Sequence, residues 1–374
     1  MMANSIIIVV SALATKTIIA DSIWLTFPIF CQYVAAMGTA LPISFFMRRF
    51  GRRAGFSLGA LAGSGGAVIS ALALHQRSLV LLCVGAIFLG VFQGCGSFYR
   101  FAALEIAPPS AKARAMSWTV GGGILAALFG PQLARTSYDF LPLIPFAGAY
   151  IAYAILGMII CCLLQFVTLP KASHIALTQP RRALLTIIQQ PIYIVAMMGS
   201  AIGYAVMSFI MTATPLAMAD CDFDLSDTAF VIQWHALGMF APSLVTGRII
   251  EFLGVRKVMI IGSILMMAAI AVALSGGLLM QFWLSLLLLG IGWNFLFVGG
   301  SNLLTEAYRP EEKAQAQGFN DTIVALTMAF AALSSGPLQG WFGWNSLLSG
   351  ALIPVLLVIG VILSVGRKRR PISA

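Results

Sequence analysis

Two copies of one phrase place a glutamate and a lysine seven residues apart. The first is EIAPPSAKARA, with Glu105 and Lys112, and the second is EAYRPEEKAQA, with Glu306 and Lys313. Opposite charges attract more strongly where water is partly excluded, because the local dielectric constant is lower there. We therefore predict that Glu105 and Glu306 pair with arginines of the neighbouring basic loops. The alternative interpretation is that the glutamates are incidental members of basic loops.

Three further ionisable residues lie within long apolar stretches, where charge is expensive and often functional. Arg100 is a candidate for contact with substrate or for coupling, or it extends to the nearest polar surface or pairs with Glu105. His235 is a candidate proton relay because histidine titrates close to neutral pH, or it is simply a hydrogen-bonded histidine. Asp321 is a second candidate proton site; the alternative is an acid favoured near the start of a helix.

Aromatic and amide side chains recur near the middle of the apolar stretches. Together with Arg100 and His235 they form the predicted substrate cavity: Gln32, Tyr33, Gln93, Tyr99, Tyr204, Gln233, Trp234, Trp293 and Asn294. Such a lining would suit a planar aromatic ligand, but apolar packing is the commoner role of aromatic residues. The six cysteines show no metal-ligand spacing and no acid–base cluster stands out. We therefore expect no enzymatic activity, no metal and no organic cofactor.

The composition places these residues in a membrane protein. The 374 residues are 60% hydrophobic and 9% charged, whereas soluble domains carry about 25% charged residues. The net charge of +10 is divided among short basic clusters between apolar runs. This distribution argues against a nucleic-acid-binding face, which needs its basic residues together.

Twelve apolar segments have about the length that a membrane-spanning helix needs, roughly 20 residues. The predicted segments are Ser5–Ala20, Ile23–Met47, Ala54–Leu74, Leu79–Ile106, Ala115–Arg135, Leu141–Leu169, Pro191–Ala217, Thr228–Gly247, Val258–Gly277, Gln281–Leu304, Gly318–Pro337 and Leu347–Gly366. They predict an all-α integral membrane protein.

Basic residues fall on alternate loops. Eighteen of the 22 Lys and Arg residues lie in one set of loops and in the C-terminal tail, and the acid-rich stretch DCDFDLSD lies in the opposite set. Cytoplasmic loops are enriched in Lys and Arg. We therefore predict a multi-pass protein of the bacterial inner membrane with both termini in the cytoplasm and DCDFDLSD outside.

The chain repeats itself in two halves. A polar linker, 170–190, separates six predicted helices in 1–169 from six in 191–374. Each half has a basic loop after its second helix and a Glu–Lys phrase after its fourth, as in parallel-repeat secondary transporters. The first helix is shorter than its counterpart, so either it is a shortened span or the chain starts upstream; we favour the second interpretation.

The repeated loops resemble those of the major facilitator superfamily over nearly the whole chain. The family's pattern Gly-x-Leu-x-Asp-Arg-x-Gly-Arg-Lys is represented in the second half by Gly247, Glu251, Gly254 and Arg256. The first copy lacks the leading glycine and the acid of the pattern, which puts its usual helix-cap contact in question.

This resemblance implies a twelve-helix major facilitator fold that alternates between inward-open and outward-open states. It also implies a cytoplasmic gate formed by Arg49, Arg52, Arg53, Glu105, Lys112, Glu251, Arg256, Glu306 and Lys313. An integral-membrane enzyme and a transporter-like sensor are the alternatives from other classes. Neither is favoured, because no catalytic cluster and no large signalling segment is evident in the sequence.

Two other family signatures are incomplete. Gly90 stands where the fourth helix of the family has an arginine before Gln93, and Gly130-Pro131 is not followed by the glycines of the antiporter signature. The chain also resembles a proteobacterial branch of the superfamily that includes riboflavin transporters. This resemblance implies riboflavin uptake by a monomer, with protons as a candidate coupling ion. Proton-coupled efflux of a drug or metabolite is the alternative.

Overall fold

The computed structural model describes residues 2–19, 21–99, 102, 112–138, 140–141, 143–167, 182–309 and 312–366, and every regular element in these ranges is helical. The first half contains α1 (Met2–Lys16), α2 (Phe27–Phe50), α3 (Arg52–His75), α4 (Leu79–Gly96), α5 (Lys112–Ser137) and α6 (Ala147–Gln165). A one-turn 3-10 helix, Ser22–Trp24, precedes α2.

The second half begins with a short helix, Leu184–Ile188, that precedes the long helices. These are α7 (Pro191–Asp220), α8a (Leu225–Phe240), α8b (Ser243–Leu253), α9 (Val255–Leu274), α10 (Leu279–Leu304), and the continuous run Lys313–Gly366. That run is broken by non-helical angles at Gly343 (φ 75°), so we divide it into α11 (313–342) and α12 (344–366).

Eleven of the twelve predicted segments each overlap one of these helices, and the eighth, Thr228–Gly247, includes parts of both α8a and α8b. The prediction of an all-α membrane protein is confirmed. Among the described residues, eight helices are long and apolar enough to cross a bilayer, or nine if bent α8 is one span. The run that contains α11 and α12 counts once in these totals, and α1 has only 15 residues.

The turns after α2 and α8b show the internal repeat at the level of the backbone. Gly51 and Gly254 both adopt positive φ, at 89° and 84°, and donate hydrogen bonds to Met47 O and Ile250 O. Only glycine occupies this region readily. The glycine of each basic loop therefore allows the chain to turn sharply from one membrane helix into the next.

Helix packing follows a similar order in the two halves. In the first half α4 packs against α2 and α3, and α3 also packs against α6; in the second half α10 packs against α8a and α9. The halves meet where α1 contacts α7, α2 contacts α11, and α5 contacts α8a. The buried residues of the core thus lie where these helices pack against one another.

Close backbone contact between α2 and α4 explains why glycine occupies position 90. A Cβ atom on Gly90 would collide with the carbonyl oxygen of Gln32, and one on Gly94 would lie 2.6 Å from the carbonyl oxygen of Ala36. Small residues at such interfaces let membrane helices approach closely. An arginine, as in the family's fourth helix, has no room here.

We expect Gly90→Val to destabilise the protein by about 1–3 kcal/mol, because overpacking forces the two backbones apart. Thermal unfolding of the detergent-solubilised protein measures this loss. Gly65→Val is the matched control, since that glycine also lies in a helix of the first half but a Cβ atom there would meet nothing within 4 Å. Equal melting temperatures for the two variants would contradict the prediction.

Candidate functional site

An aromatic cluster lies near the middle of α7 and α10. Trp293 and Phe297 of α10 stack with a centroid separation of 5.2 Å and an interplanar angle of 7°, and Tyr204 of α7 meets them edge-on at 4.8 and 5.1 Å. Tyr204 and Trp293 each lie roughly 20 Å along their helices at 1.5 Å per residue. The cluster is therefore close to the middle of a bilayer core about 30 Å thick.

Trp293 is 3% exposed, and its indole Nε1 has no hydrogen-bond partner among the described residues. Trp234 lies in α8a, where its ring meets Phe230 at 6.3 Å and Trp283 at 5.7 Å. Trp283 Nε1 is likewise buried without a described partner. Trp234 therefore belongs to an aromatic group separate from the mid-membrane cluster of Tyr204 and Trp293.

Two glutamine pairs connect helices at different places. Gln32 Nε2 donates to Gln93 Oε1 at 2.9 Å, which joins α2 to α4 within the first half. Gln132 Nε2 donates to Gln233 Oε1 at 2.8 Å, which joins α5 to α8a across the two halves. Gln132 was not among the predicted cavity residues. Its position directly after Gly130-Pro131 was the only sequence signal that could have suggested it.

His235 is fully buried against α10. Its Nδ1 lies 2.7 Å from Leu286 O, and its Nε2 is buried without a described partner. A carbonyl oxygen can only accept, so Nδ1 carries the proton and Nε2 is the free lone pair of a neutral ring. This arrangement binds α8a to α10. It also leaves one nitrogen that could accept a proton if a conformational change exposed it.

The other predicted site residues occupy varied surroundings. Tyr33 is buried in an apolar cluster between the halves with Leu216 and Ala329, and Tyr99 stacks on Phe56 at 4.2 Å, beyond the end of α4. Asp321 is exposed on α11, where Asn320 Nδ2 lies 3.3 Å from its carboxylate. Arg100 lies outside the described residues. The structure therefore does not bring all the predicted cavity residues together.

Asn294 has its polar atoms engaged by helix α8. Its side-chain amide donates to Met239 O and to Ser243 Oγ at 2.7 and 2.5 Å, and its Oδ1 lies 2.7 Å from Thr246 Oγ1. Both N–H groups are used, so neither is free for a ligand in this conformation.

Among the described residues, at least four side-chain hydrogen bonds join the two halves in the half of the membrane that contains the acid-rich loop. Lys16 Nζ pairs with Asp220 Oδ1 at 3.1 Å, and Arg135 reaches Ser226 Oγ at 3.0 Å. Thr26 Oγ1 donates to Leu333 O at 3.1 Å, and the fourth bond is that from Gln132. The halves are therefore held together at the end of the molecule that bears DCDFDLSD.

The opposite end carries the predicted gate residues and a second ion pair. Arg182 binds Glu312 through two of its guanidinium nitrogens, Nε to Oε1 at 2.7 Å and Nη2 to Oε2 at 2.6 Å. The Glu312 carboxylate also accepts the backbone N–H groups of Arg182 and Arg309, and its side chain is 1% exposed. The second Glu–Lys phrase therefore buries Glu312, which the sequence did not single out.

The gate residues that had been predicted lie mostly at the surface. Glu251, Glu306, Lys313, Arg49 and Arg53 are exposed, Arg256 is half-buried, and Arg52 is 7% exposed. Glu105 lies outside the described residues, as does the side chain of Lys112. Arg53 reaches Gln165 O at 3.3 Å, a contact within the first half.

Comparison with known proteins decides the family. A family model described as Major Facilitator Superfamily matches residues 196–374, and one described as Sugar (and other) transporter matches residues 2–184. The riboflavin transporter RfnT of Brucella anthropi is 36% identical over 99% of this chain and 93% of its own length. The chain belongs to the major facilitator superfamily.

Two further relatives come from Bacillus subtilis. The uncharacterized MFS-type transporter YddS is 31% identical over 86% of this chain and 78% of its own length. The uncharacterized MFS-type transporter YdeG is 28% identical over 96% of this chain and 88% of its own length. The chain is accordingly a multi-pass membrane transporter of the superfamily, and the predicted family and fold are confirmed.

Proposed function

We propose that this major facilitator transporter takes up riboflavin across the bacterial inner membrane. The similarity to the riboflavin transporter of Brucella anthropi, 36% identity over 99% of the chain, is the observation that carries the proposal. At this coverage the relationship includes every membrane helix rather than one half of the protein.

The mid-membrane aromatic cluster is compatible with this substrate. Riboflavin carries a planar three-ring system, and flat heteroaromatic rings stack favourably on Trp, Tyr and Phe. Trp293, Phe297 and Tyr204 supply such rings on α7 and α10. The N–H of Trp293, which has no partner within the described part of the chain, is also a candidate hydrogen-bond donor once the cluster opens.

We also propose that the two halves rock about this cluster as separate six-helix bundles. The bonds at the DCDFDLSD end support a closed state of that end, and the enrichment of Lys and Arg in the loops at the other end supports a cytoplasmic position for it. The structure then corresponds to an inward-facing state. A proton that enters at His235 or Asp321 remains a candidate driving ion.

Uptake of labelled riboflavin by a riboflavin auxotroph tests the function. We expect expression of this chain to rescue growth at low external vitamin and to raise the initial uptake rate above that of cells with an empty vector. Dissipating the pH gradient should then abolish accumulation if protons drive it. Absence of rescue, together with resistance to toxic compounds, would instead establish efflux.

The native Cys221 reports the orientation. It is exposed in the DCDFDLSD loop, so a variant that retains only this cysteine should react with a membrane-impermeant maleimide added to spheroplasts. A second single-cysteine variant, Phe252→Cys, places the thiol at an exposed site on α8b and should react only after the membrane is opened. The reverse pattern would show that the proposed topology is inverted.

A further inference from the structure

Helix α8 is interrupted near the middle of the chain's eighth span. α8a ends at Phe240, α8b begins at Ser243, and the two axes differ by 44°. Pro242 lacks an N–H group, so the helix cannot continue its regular hydrogen bonding through this position. In an unbroken helix Met239 O would accept the N–H of Ser243. At the break it needs another donor.

Asn294 of α10 supplies that donor and contacts both sides of the break. Its Nδ2 group donates to Met239 O, at the end of α8a, and to Ser243 Oγ, the first residue of α8b. Thr246 Oγ1 lies 2.7 Å from both Asn294 Oδ1 and Pro242 O, so its single hydrogen is shared between two acceptors. One buried amide thus joins the two pieces of α8 to α10.

The two pieces of α8 are attached to the protein in different ways. α8a is held against α10 by the bond from His235 to Leu286 O, and a Cβ atom on Gly238 would lie 2.7 Å from Leu287 O. α8b packs less extensively on α9 and α10 and has an exposed outer face that includes Phe252 at 88%. The break therefore separates a firmly packed segment from one with more freedom.

The freer piece carries one of the basic-loop copies. α8b contains Glu251 and ends at Leu253, next to the positive-φ Gly254, which lies two residues before Arg256. On the other side, Asn294 is the immediate neighbour of Trp293 in the aromatic cluster. A displacement of α10 at the cluster would therefore move the Asn294 side-chain amide, which is hydrogen-bonded to α8b.

We propose that Asn294 is a positioning residue that couples the mid-membrane aromatic cluster to the orientation of α8b. Its amide acts as the pivot of broken helix α8. The inference rests on the proposed transport function, because it makes the bend of α8 respond to an occupant of the aromatic cluster. It assigns Asn294 a role in conformational change rather than in contact with substrate.

A distance measurement tests the pivot without any ligand. Spin labels at Phe230→Cys and Phe252→Cys, in a background without the six native cysteines, report the separation of α8a and α8b. We expect one narrow distance distribution for the parent and a broad one for Asn294→Ala. Asn302→Ala is the matched control, because this asparagine is exposed on the same helix. A narrow distribution in Asn294→Ala would overturn the proposal.

Two further variants distinguish a lost pivot from a loss of folding. Asn294→Asp keeps the volume and the acceptor for Thr246 but removes both donors, so it should broaden the distribution as well. Pro242→Ala restores an N–H group for Gly238 O and removes the ring that interrupts the helix, which allows Ser243 N–H to bond to Met239 O. In the double variant Pro242→Ala/Asn294→Ala we therefore expect a narrow distribution again. If the double variant remains as broad as Asn294→Ala, the amide does not act through the break.

Riboflavin then tests the coupling. We expect it to change the maleimide labelling rate of Phe252→Cys by several-fold in the parent and in Asn302→Ala, but not in Asn294→Asp. An equal change in Asn294→Asp would overturn the coupling. If riboflavin binds to the purified parent without changing this labelling rate, the coupling is overturned. If riboflavin does not bind, the proposed substrate is wrong, while the ligand-free distances still decide whether Asn294 is the pivot.

Discussion

Trp293→Ala is expected to lower the apparent affinity for riboflavin by roughly one to two orders of magnitude. Loss of one aromatic stacking contact costs about 1–3 kcal/mol for a nucleobase, and about 1.4 kcal/mol corresponds to a tenfold change in Kd. Trp293 stacks on Phe297 and contacts Tyr204 edge-on, so its removal also takes packing contacts away from the two remaining rings of the cluster. Equilibrium binding to purified protein and the KM of uptake both measure this effect.

Two variants separate the contributions of ring and N–H group at this position. Trp293→Phe keeps an aromatic face but removes the buried, unpartnered Nε1–H, so it should retain most of the stacking while losing any hydrogen bond to the ligand. Trp341→Ala is the control, because this tryptophan is 60% exposed near the end of α11. If Trp341→Ala impairs binding as much as Trp293→Ala does, the aromatic cluster is not the substrate site.

Glu312→Gln is expected to lower the melting temperature by several degrees, the largest loss of stability among the charge substitutions. The carboxylate is 1% exposed and accepts four hydrogen bonds, two from the Arg182 side chain and two from backbone N–H groups. Removing one member of a shielded ion pair leaves its partner without compensation. Thermal unfolding in detergent measures the loss.

The effect of Glu312→Gln should depend on pH in a defined direction. The Arg182 guanidinium lowers the pKa of Glu312 from its ordinary value to about 2. A depressed carboxyl pKa contributes stability that is fully present above the ordinary pKa and is lost as pH falls toward about 2. The stability difference between parent and Glu312→Gln should therefore be constant near neutral pH and shrink below about pH 4.

Two controls show whether the interaction itself matters. Asp222→Asn removes an exposed carboxylate from a loop residue with positive φ, where asparagine is well tolerated, and should leave the melting temperature nearly unchanged. The exchange Arg182→Glu/Glu312→Arg should recover part of the loss of either single change. If the exchange is as damaging as the sum of the single changes, the pairing of opposite charges is not what stabilises this loop.

The Arg182–Glu312 ion pair also attaches the start of the second half to the loop before α11. The chain that follows residues 168–181 is bound to the segment between α10 and α11. Arg182 bonds to Glu312, and Gln190 Nε2 donates to Ala307 O. Gln315 Nε2 of α11 donates to Arg182 O. The linker therefore ends at a fixed point in the second half.

The sequence by itself determined the membrane class, the positions of the helices and the glycine turns of the repeated loops. A run of about 20 apolar residues must satisfy its backbone within one helix whatever surrounds it, so its ends can be predicted locally. The positive φ of Gly51 and Gly254 likewise follows from a short turn between consecutive helices.

Only the tertiary structure decided which polar groups meet. Gln132 and Gln233, which bond to each other, are 101 positions apart in the chain. Glu312 rather than Glu306 is the buried acid of its phrase. The side-chain amide of Asn294 is hydrogen-bonded at the break in α8. In a bilayer both the lipid and the protein core are apolar, so hydropathy hardly indicates which helix face is inward. Partners are set by helix rotation and register, which depend on close contacts such as that of Gly90 with α2.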